Sequence, residues 1–285
     1  MTVAVIGANG QLGSDLCEEL RPRHEVGGLT HSDIDVTSVD SIRETLGRIR
    51  PDVVFNTAAY HNVPECEKDP SAAFKVNAIG ALNLAQISNS LGFVLVHYST
   101  DYVFDGLKRS PYVEGDKVNP LNVYGTSKLA GECLVSAYCR RYFIIRISGL
   151  YGRVPCRAKG ENFVAKMIRL SKEKQELKVV DDEVLTPTYT VDVVRNTELL
   201  TETSEFGLYH MTNDGQCSWY EFACEIFNYL GIGTPVVKTS SSVLQSAVRR
   251  PMYSVLENAN LERIGINRMS CWRDALHRFL EARPW

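Results

Sequence analysis

Apolar residues in the first 150 positions fall into two alternating textures. The unbroken runs VAVIGA at 3, HEVGGL at 24, DVVFNTAA at 52, FVLVHYST at 93 and RYFIIRIS at 141 have the length and β-branched content of buried strands. Between them, apolar residues recur every three or four positions at Gln11 to Leu20, 38–49, Ser71 to Leu91 and Tyr124 to Tyr138, which is the spacing of helices that bury one face. Strands that take turns with helices imply right-handed crossovers and a parallel sheet covered on both sides. The expected fold is therefore α/β and doubly wound. Beyond residue 150 the rhythm loosens, with helices predicted at 161–174, 190–201, from 218 and from 270, and strands LKVV at 177 and GLYHMT at 207. We expect a dinucleotide-type domain over 1–150 and a smaller lobe over 151–285 that mainly faces substrate, some of whose segments return to the sheet.

Composition narrows the function. With 31 basic against 34 acidic residues, the chain offers no basic face for nucleic acid. Its longest apolar runs fall far short of the roughly 20 residues a membrane span needs. The start MTVAVIGANG runs straight into a strand with no basic leader, so a cytoplasmic protein is expected. The 8 cysteines show no C-x-x-C and no zinc spacing with histidine, and read as small apolar residues in a reducing compartment. No metal site is expected.

The first strand ends in GANGQLG. Gly7, Gly10 and Gly13 suit a tight strand-to-helix turn that lets backbone approach a pyrophosphate, with Asn9, Gln11 and Leu12 between them. The spacing is G-x-x-G-x-x-G rather than the ordinary G-x-G-x-x-G, and the turn marks the sheet as Rossmann-type. At the end of the second strand Thr30 and His31 stand where an acid reading ribose hydroxyls is usual, which leans toward NADPH, with NADH as the alternative because Asp33, Asp35 and the adjoining Val36 are close. The third strand ends in Ala58, Ala59 and Tyr60, small enough at first for a cofactor to lie against backbone. The fourth ends in Ser99 and Thr100, either of which could donate a hydroxyl to a substrate oxygen.

In YGTSKLAGE, Tyr124 and Lys128 lie four apart on one helix face. A fixed positive charge beside a phenol favours phenolate and so makes the neutral form a better proton donor. A glycine-rich turn, a Ser-Thr strand end and Tyr-x-x-x-Lys, in that order, resemble the extended branch of the short-chain dehydrogenase/reductase superfamily. That resemblance implies that Tyr124 is the acid or base, that Lys128 holds the nicotinamide ribose, that Thr100 orients the substrate oxygen, and that Asn77 sits on the neighbouring helix. The blocks HYSTDYVFDG, PLNVYGTSKLAGE, PTYTVD and RRPMYSVLENANLE are further similar to the dTDP-4-dehydrorhamnose reductase family.

By the same resemblance Thr100, Asp101, Tyr102, Gly149, Asn162 and Arg250 would line a nucleotide-sugar substrate, and self-association as a homodimer is open. Two departures stand out: Gly149 replaces a tryptophan usual in that family, which should enlarge the sugar pocket, and Leu185 replaces a glycine. Sugar dehydratases of the branch carry Asp-Glu where this chain has Asp101-Tyr102. An epimerase or a reductase of the same branch acting on another nucleotide sugar stays open, as does a non-catalytic role like that of the similar regulatory subunit of methionine adenosyltransferase.

Overall fold

A computed structural model describes residues 1–156, 160–244, 248–282 and 285. Five strands of the first half, β1 (Thr2–Ile6), β2 (Glu25–Leu29), β3 (Val53–Asn56), β4 (Val94–Thr100) and β5 (Tyr142–Ile147), lie in one parallel sheet with helices between them. The helices are α1 (Gln11–Leu20), α2 (Val39–Ile49), α3 (Val63–Lys68), α4 (Pro70–Phe74), α5 (Gly80–Leu91) and α6 (Val123–Tyr138). Then follow β6 (Leu150–Tyr151), α7 (Phe163–Glu173), β7 (Leu177–Val180), β8 (Val184–Leu185), β9 (Thr188–Tyr189), α8 (Thr190–Thr201), β10 (Gly207–His210), β11 (Cys217–Ser218), α9 (Trp219–Leu230), β12 (Val236–Thr239), α10 (Ala259–Arg263) and α11 (Trp272–Glu281).

The sheet has six strands in the order β10-β5-β4-β3-β1-β2, and every pairing is parallel. The order reverses between β1 and β3, as a doubly wound sheet requires. GLYHMT thus returns from the second half to close one edge. One face is covered by α1 and α8, whose Leu12, Leu16, Val193 and Val194 meet Val5, Phe55 and Ile145 of the strands. The other is covered by α2, α5 and α6 through Ile42, Leu46, Leu84 and Val135. A separate apolar cluster, in which Tyr151, Phe222, Trp272 and Phe279 meet, holds the second half together.

The long helix expected from Ser71 to Leu91 is interrupted. Residues Lys75–Ile79 form a π-helical turn between α4 and α5, an insertion that often marks a functional site because it turns one residue out of register. Helix α3 and the two-residue strands β6, β8, β9 and β11 were not expected, since elements that short carry no period to read.

Candidate active site

The glycine turn is built by close approach. Gly7 has φ +83°, and a Cβ on Gly13 would lie 2.2 Å from the Gly7 carbonyl oxygen, so neither position admits a side chain without moving backbone. Helix α1 then begins at Gly10 with no capping side chain and no acid in its first turn, which leaves its first N–H groups open to an anion. The buried Oε1 of Gln11 likewise has no partner among the described residues. Gly10, Gln11, Leu12 and Gly13 line a cleft of about 330 Å³ that runs along the carboxyl ends of the strands. These features suit a dinucleotide diphosphate.

At the end of β2, Asp33 is occupied by its own loop, accepting from Thr30 N at 2.8 Å and Thr30 Oγ1 at 2.7 Å. Asp35 accepts from Thr37 N and Oγ1. Both carboxyls are held below the usual range by these bonds, while His31 is exposed beside them and Asn9 is exposed at the tip of the glycine turn. Val36 is buried against Gly80, its carbonyl accepting from Asn83 Nδ2; its side chain serves packing. Ala59 lines the cleft, and Ala58 beside it is half-buried. The π turn aims Asn77 at Tyr60: its Oδ1 accepts Tyr60 N at 2.8 Å, and its Nδ2 donates to Tyr60 O at 2.9 Å and Ser127 Oγ at 3.0 Å.

Helix α6 is started by Asn122, whose Oδ1 accepts from Gly125 N at 2.8 Å. One turn of α6 carries Tyr124 and Lys128 into the cleft beside Thr100 from β4. The Thr100 hydroxyl engages the phenol and favours phenolate, but burial outweighs it and pushes Tyr124 up. This is the opposite of the shift expected from an ammonium neighbour: burial dominates, and the Lys128 nitrogen is turned to a backbone carbonyl. Its Nζ donates to Tyr98 O at 2.6 Å, and burial pulls it down to about 8. Tyr124 is thereby a phenol that stays protonated well into the alkaline range. Ser99, the other candidate hydroxyl, borders the cleft but donates its proton to Glu132, which also receives Arg146 Nη2 at 2.7 Å. Thr100 also lines the cleft, its hydroxyl donating to Asp101 Oδ1 at 3.0 Å and accepting from Tyr102 N at 3.2 Å.

The opposite wall begins at Asp101, buried, with its Oδ2 accepting from Ser148 Oγ at 3.0 Å. Burial pushes this carboxyl up, against the pull of Ser254, Ser148 and Thr100. Tyr102 packs edge-on against Tyr124 with ring centroids 5.9 Å apart. Asn162 lines the cleft, yet its Oδ1 caps α7 at Ala165 N and its Nδ2 donates to Gly152 O. Its amide is engaged chiefly in holding α7, which leaves one N–H for a ligand. Arg250 lies within electrostatic reach of Glu183 and Tyr102 at the far end.

The model of the RmlD substrate binding domain family matches residues 1–283. This chain belongs to that family. The spore coat polysaccharide biosynthesis protein SpsK of Bacillus subtilis (strain 168) is 40% identical, over 99% of this chain and 97% of its own. The dTDP-4-dehydrorhamnose reductase of Burkholderia thailandensis is 37% identical, covering 97% of each chain. The crystal structure of dTDP-4-dehydrorhamnose reductase from Bacillus anthracis in complex with NADP superposes with a TM-score of 0.95 at 40% identity, covering 99% of both chains.

As an RmlD-family chain it departs from expectation at Gly149. The missing indole does not leave open space. A Cβ on Gly149, at φ +54°, would stand 2.7 Å from Leu185 Cδ1 and 2.8 Å from Thr186 O, so the two departures are paired and the leucine fills space beside the glycine. The cleft is also lined by His61, Ser148, Phe163, Glu183, Trp219 and Ser254, which sequence reasoning missed. Ser148 could have been found from its place just past β5. Glu183 and Trp219 border strands too short to announce an edge.

Proposed function

We propose that this protein reduces the C4 ketone of a nucleotide-linked 4-keto-6-deoxy sugar, dTDP-4-dehydro-L-rhamnose, to the alcohol dTDP-L-rhamnose with NADPH. What carries this reading is the meeting of the Tyr124 phenol and the Thr100 hydroxyl in one cleft with the open, uncapped N-terminus of α1. The glycine turn and the first N–H groups of α1 hold the cofactor diphosphate, Thr30 and His31 face its adenosine ribose, and Lys128 and Asn77 secure the nicotinamide end. When bound, NADPH supplies the hydride that reaches the sugar carbon.

On substrate binding the Thr100 hydroxyl turns its one proton from Asp101 Oδ1 to the ketone oxygen and stabilises the charge that develops there. Tyr124 transfers its proton to the same oxygen, completing the alcohol, and the phenolate left behind takes a proton back from water. Asp101, Tyr102, Gly149, Asn162 and Arg250 bound the substrate, the arginine toward the diphosphate end. Residues 1–150 hold the cofactor and also bring Thr100, Asp101, Tyr102 and Gly149 to the sugar, while 151–285 serve mainly the sugar. None of the 8 cysteines is in a disulfide, which supports a reducing, cytoplasmic setting, and we place the enzyme there. No helix among the described residues is long and apolar enough to cross a membrane.

The test is absorbance at the reduced-nicotinamide band with dTDP-4-dehydro-L-rhamnose as substrate. NADPH should be consumed in proportion to ketone, with NADH turned over less efficiently. A flat trace with this and related dTDP-linked keto sugars would reject the reading.

A further inference from the structure

The β3–β4 register sets Asn56 directly opposite His97, and both are buried, at 3% and 1% exposure. Asn56 Oδ1 accepts the backbone N–H of Ala58 at 3.2 Å. A main-chain N–H can only donate, so this contact orients the amide and brings its NH2 end to His97 Nδ1 at 3.1 Å. A ring nitrogen that accepts carries no proton, which leaves the histidine proton on Nε2. That N–H faces Lys128 Nζ at 3.4 Å, while Nζ itself donates to Tyr98 O. A neutral amine satisfies both contacts, giving one hydrogen and accepting with its lone pair. An ammonium has no lone pair and would set donor against donor.

We propose that Asn56 and His97 are positioning residues for Lys128: anchored on the Ala58 N–H, they present a ring N–H to the lysine nitrogen and couple its protonation to the filling of the cleft. The proposal rests on the reductase reading only for the ligand that fills it. Among the groups around the lysine, Glu132 one turn on in α6 favours the ammonium, but it is itself bonded to Arg146 of β5 and Ser99 of β4. Tyr124 lies one turn earlier on α6. Burial disfavours charge on Lys128 and on His97 alike, the same direction as the donor pattern. Charging the lysine breaks the relay unless a ligand offers the ammonium an acceptor, and a ribose hydroxyl oxygen is one.

Nitrogen-15 histidine NMR of the full chain reads the tautomer, with His97 assigned by difference from His97→Gln. Carbon-13 lysine NMR follows the titration of Lys128, assigned with Lys128→Met. We expect the proton on His97 Nε2, and saturating NADPH should move the Lys128 signal toward the charged form at a pH near its midpoint. Asn56→Asp should turn the relay around, since a carboxylate accepts from both the Ala58 N–H and the ring. The proton then sits on Nδ1, Nε2 accepts from the ammonium, and the Lys128 midpoint rises by about one pH unit or more. His97→Gln, whose amide can turn its oxygen to the lysine, should raise the midpoint likewise and serves if the aspartate variant does not fold.

A wild-type ring protonated on Nδ1, a midpoint unmoved in the variants that fold, or no response of Lys128 to bound NADPH would overturn the proposal. If NADPH does not bind and no keto sugar is reduced, the reductase reading falls while tautomer and midpoint still decide the relay. Turnover together with an Nδ1 proton removes the relay alone.

Discussion

At the scale of the residue, Lys128 shows how a functional group can oppose stability. Its proton is held less tightly in the folded chain than in the unfolded one, so from about pH 8 upward to the ordinary lysine range the unfolded chain binds more protons and stability rises with pH. Below that window the full penalty of the buried charge is present. Lys128→Met should therefore raise stability in urea near neutral pH by on the order of 2–3 kcal/mol, with a gain that shrinks as pH rises, while weakening NADPH binding. Equal stability of the two proteins at all pH values would show that the lysine is not strained by burial.

Gly149 makes the converse case. Gly149→Ala meets a positive φ, a leucine methyl and a carbonyl oxygen at once, and should lose about 1–3 kcal/mol in urea unfolding. Leu185→Ala in the same chain should recover part of the loss, a coupling that two independent sites would not show. The sequence made Tyr124, Lys128 and Thr100 legible because their meaning lies in local spacing and strand-end position. Asn56, His97, Glu132 and Arg146 stayed silent, since their partnerships exist only once β3, β4 and β5 are in register.

Among the elements, the π turn at Lys75–Ile79 carries the most consequence for the site. A regular helix through these residues is what the pattern predicts, and the insertion is invisible to it because apolar spacing on either side is preserved. Its effect is to give Asn77 three hydrogen bonds, two of them to the backbone of Tyr60 at the rim of the cofactor cleft. Asn77→Ala leaves the Tyr60 N–H and carbonyl without these partners and should cost about 1–3 kcal/mol. It should also weaken NADPH more than it weakens the dTDP-sugar, which titration of each ligand separately would check. An equal loss for both would mean that the π turn supports the molecule generally rather than the cofactor wall.

For the whole molecule, the two halves share one core. Val193, Val194 and Tyr209 from the second half pack with Leu16, Phe55 and Phe143 from the first, and β10 closes the sheet beside β5. Residues 1–150 expressed alone should consequently lack cooperative unfolding, since β5 would become an exposed edge and the α1 face would lose its α8 cover. The alternation of strands and helices made the doubly wound sheet readable, whereas the second half was harder because its contacts are set by two-residue strands and by loops reaching the cleft. Both halves meet at the cleft that holds the Tyr124 phenol. The most direct test is single-turnover NADPH oxidation by Tyr124→Phe saturated with dTDP-4-dehydro-L-rhamnose. The rate should fall by roughly 10²–10⁴-fold with NADPH binding retained; a rate within a few-fold of the parent would contradict Tyr124 as the proton donor.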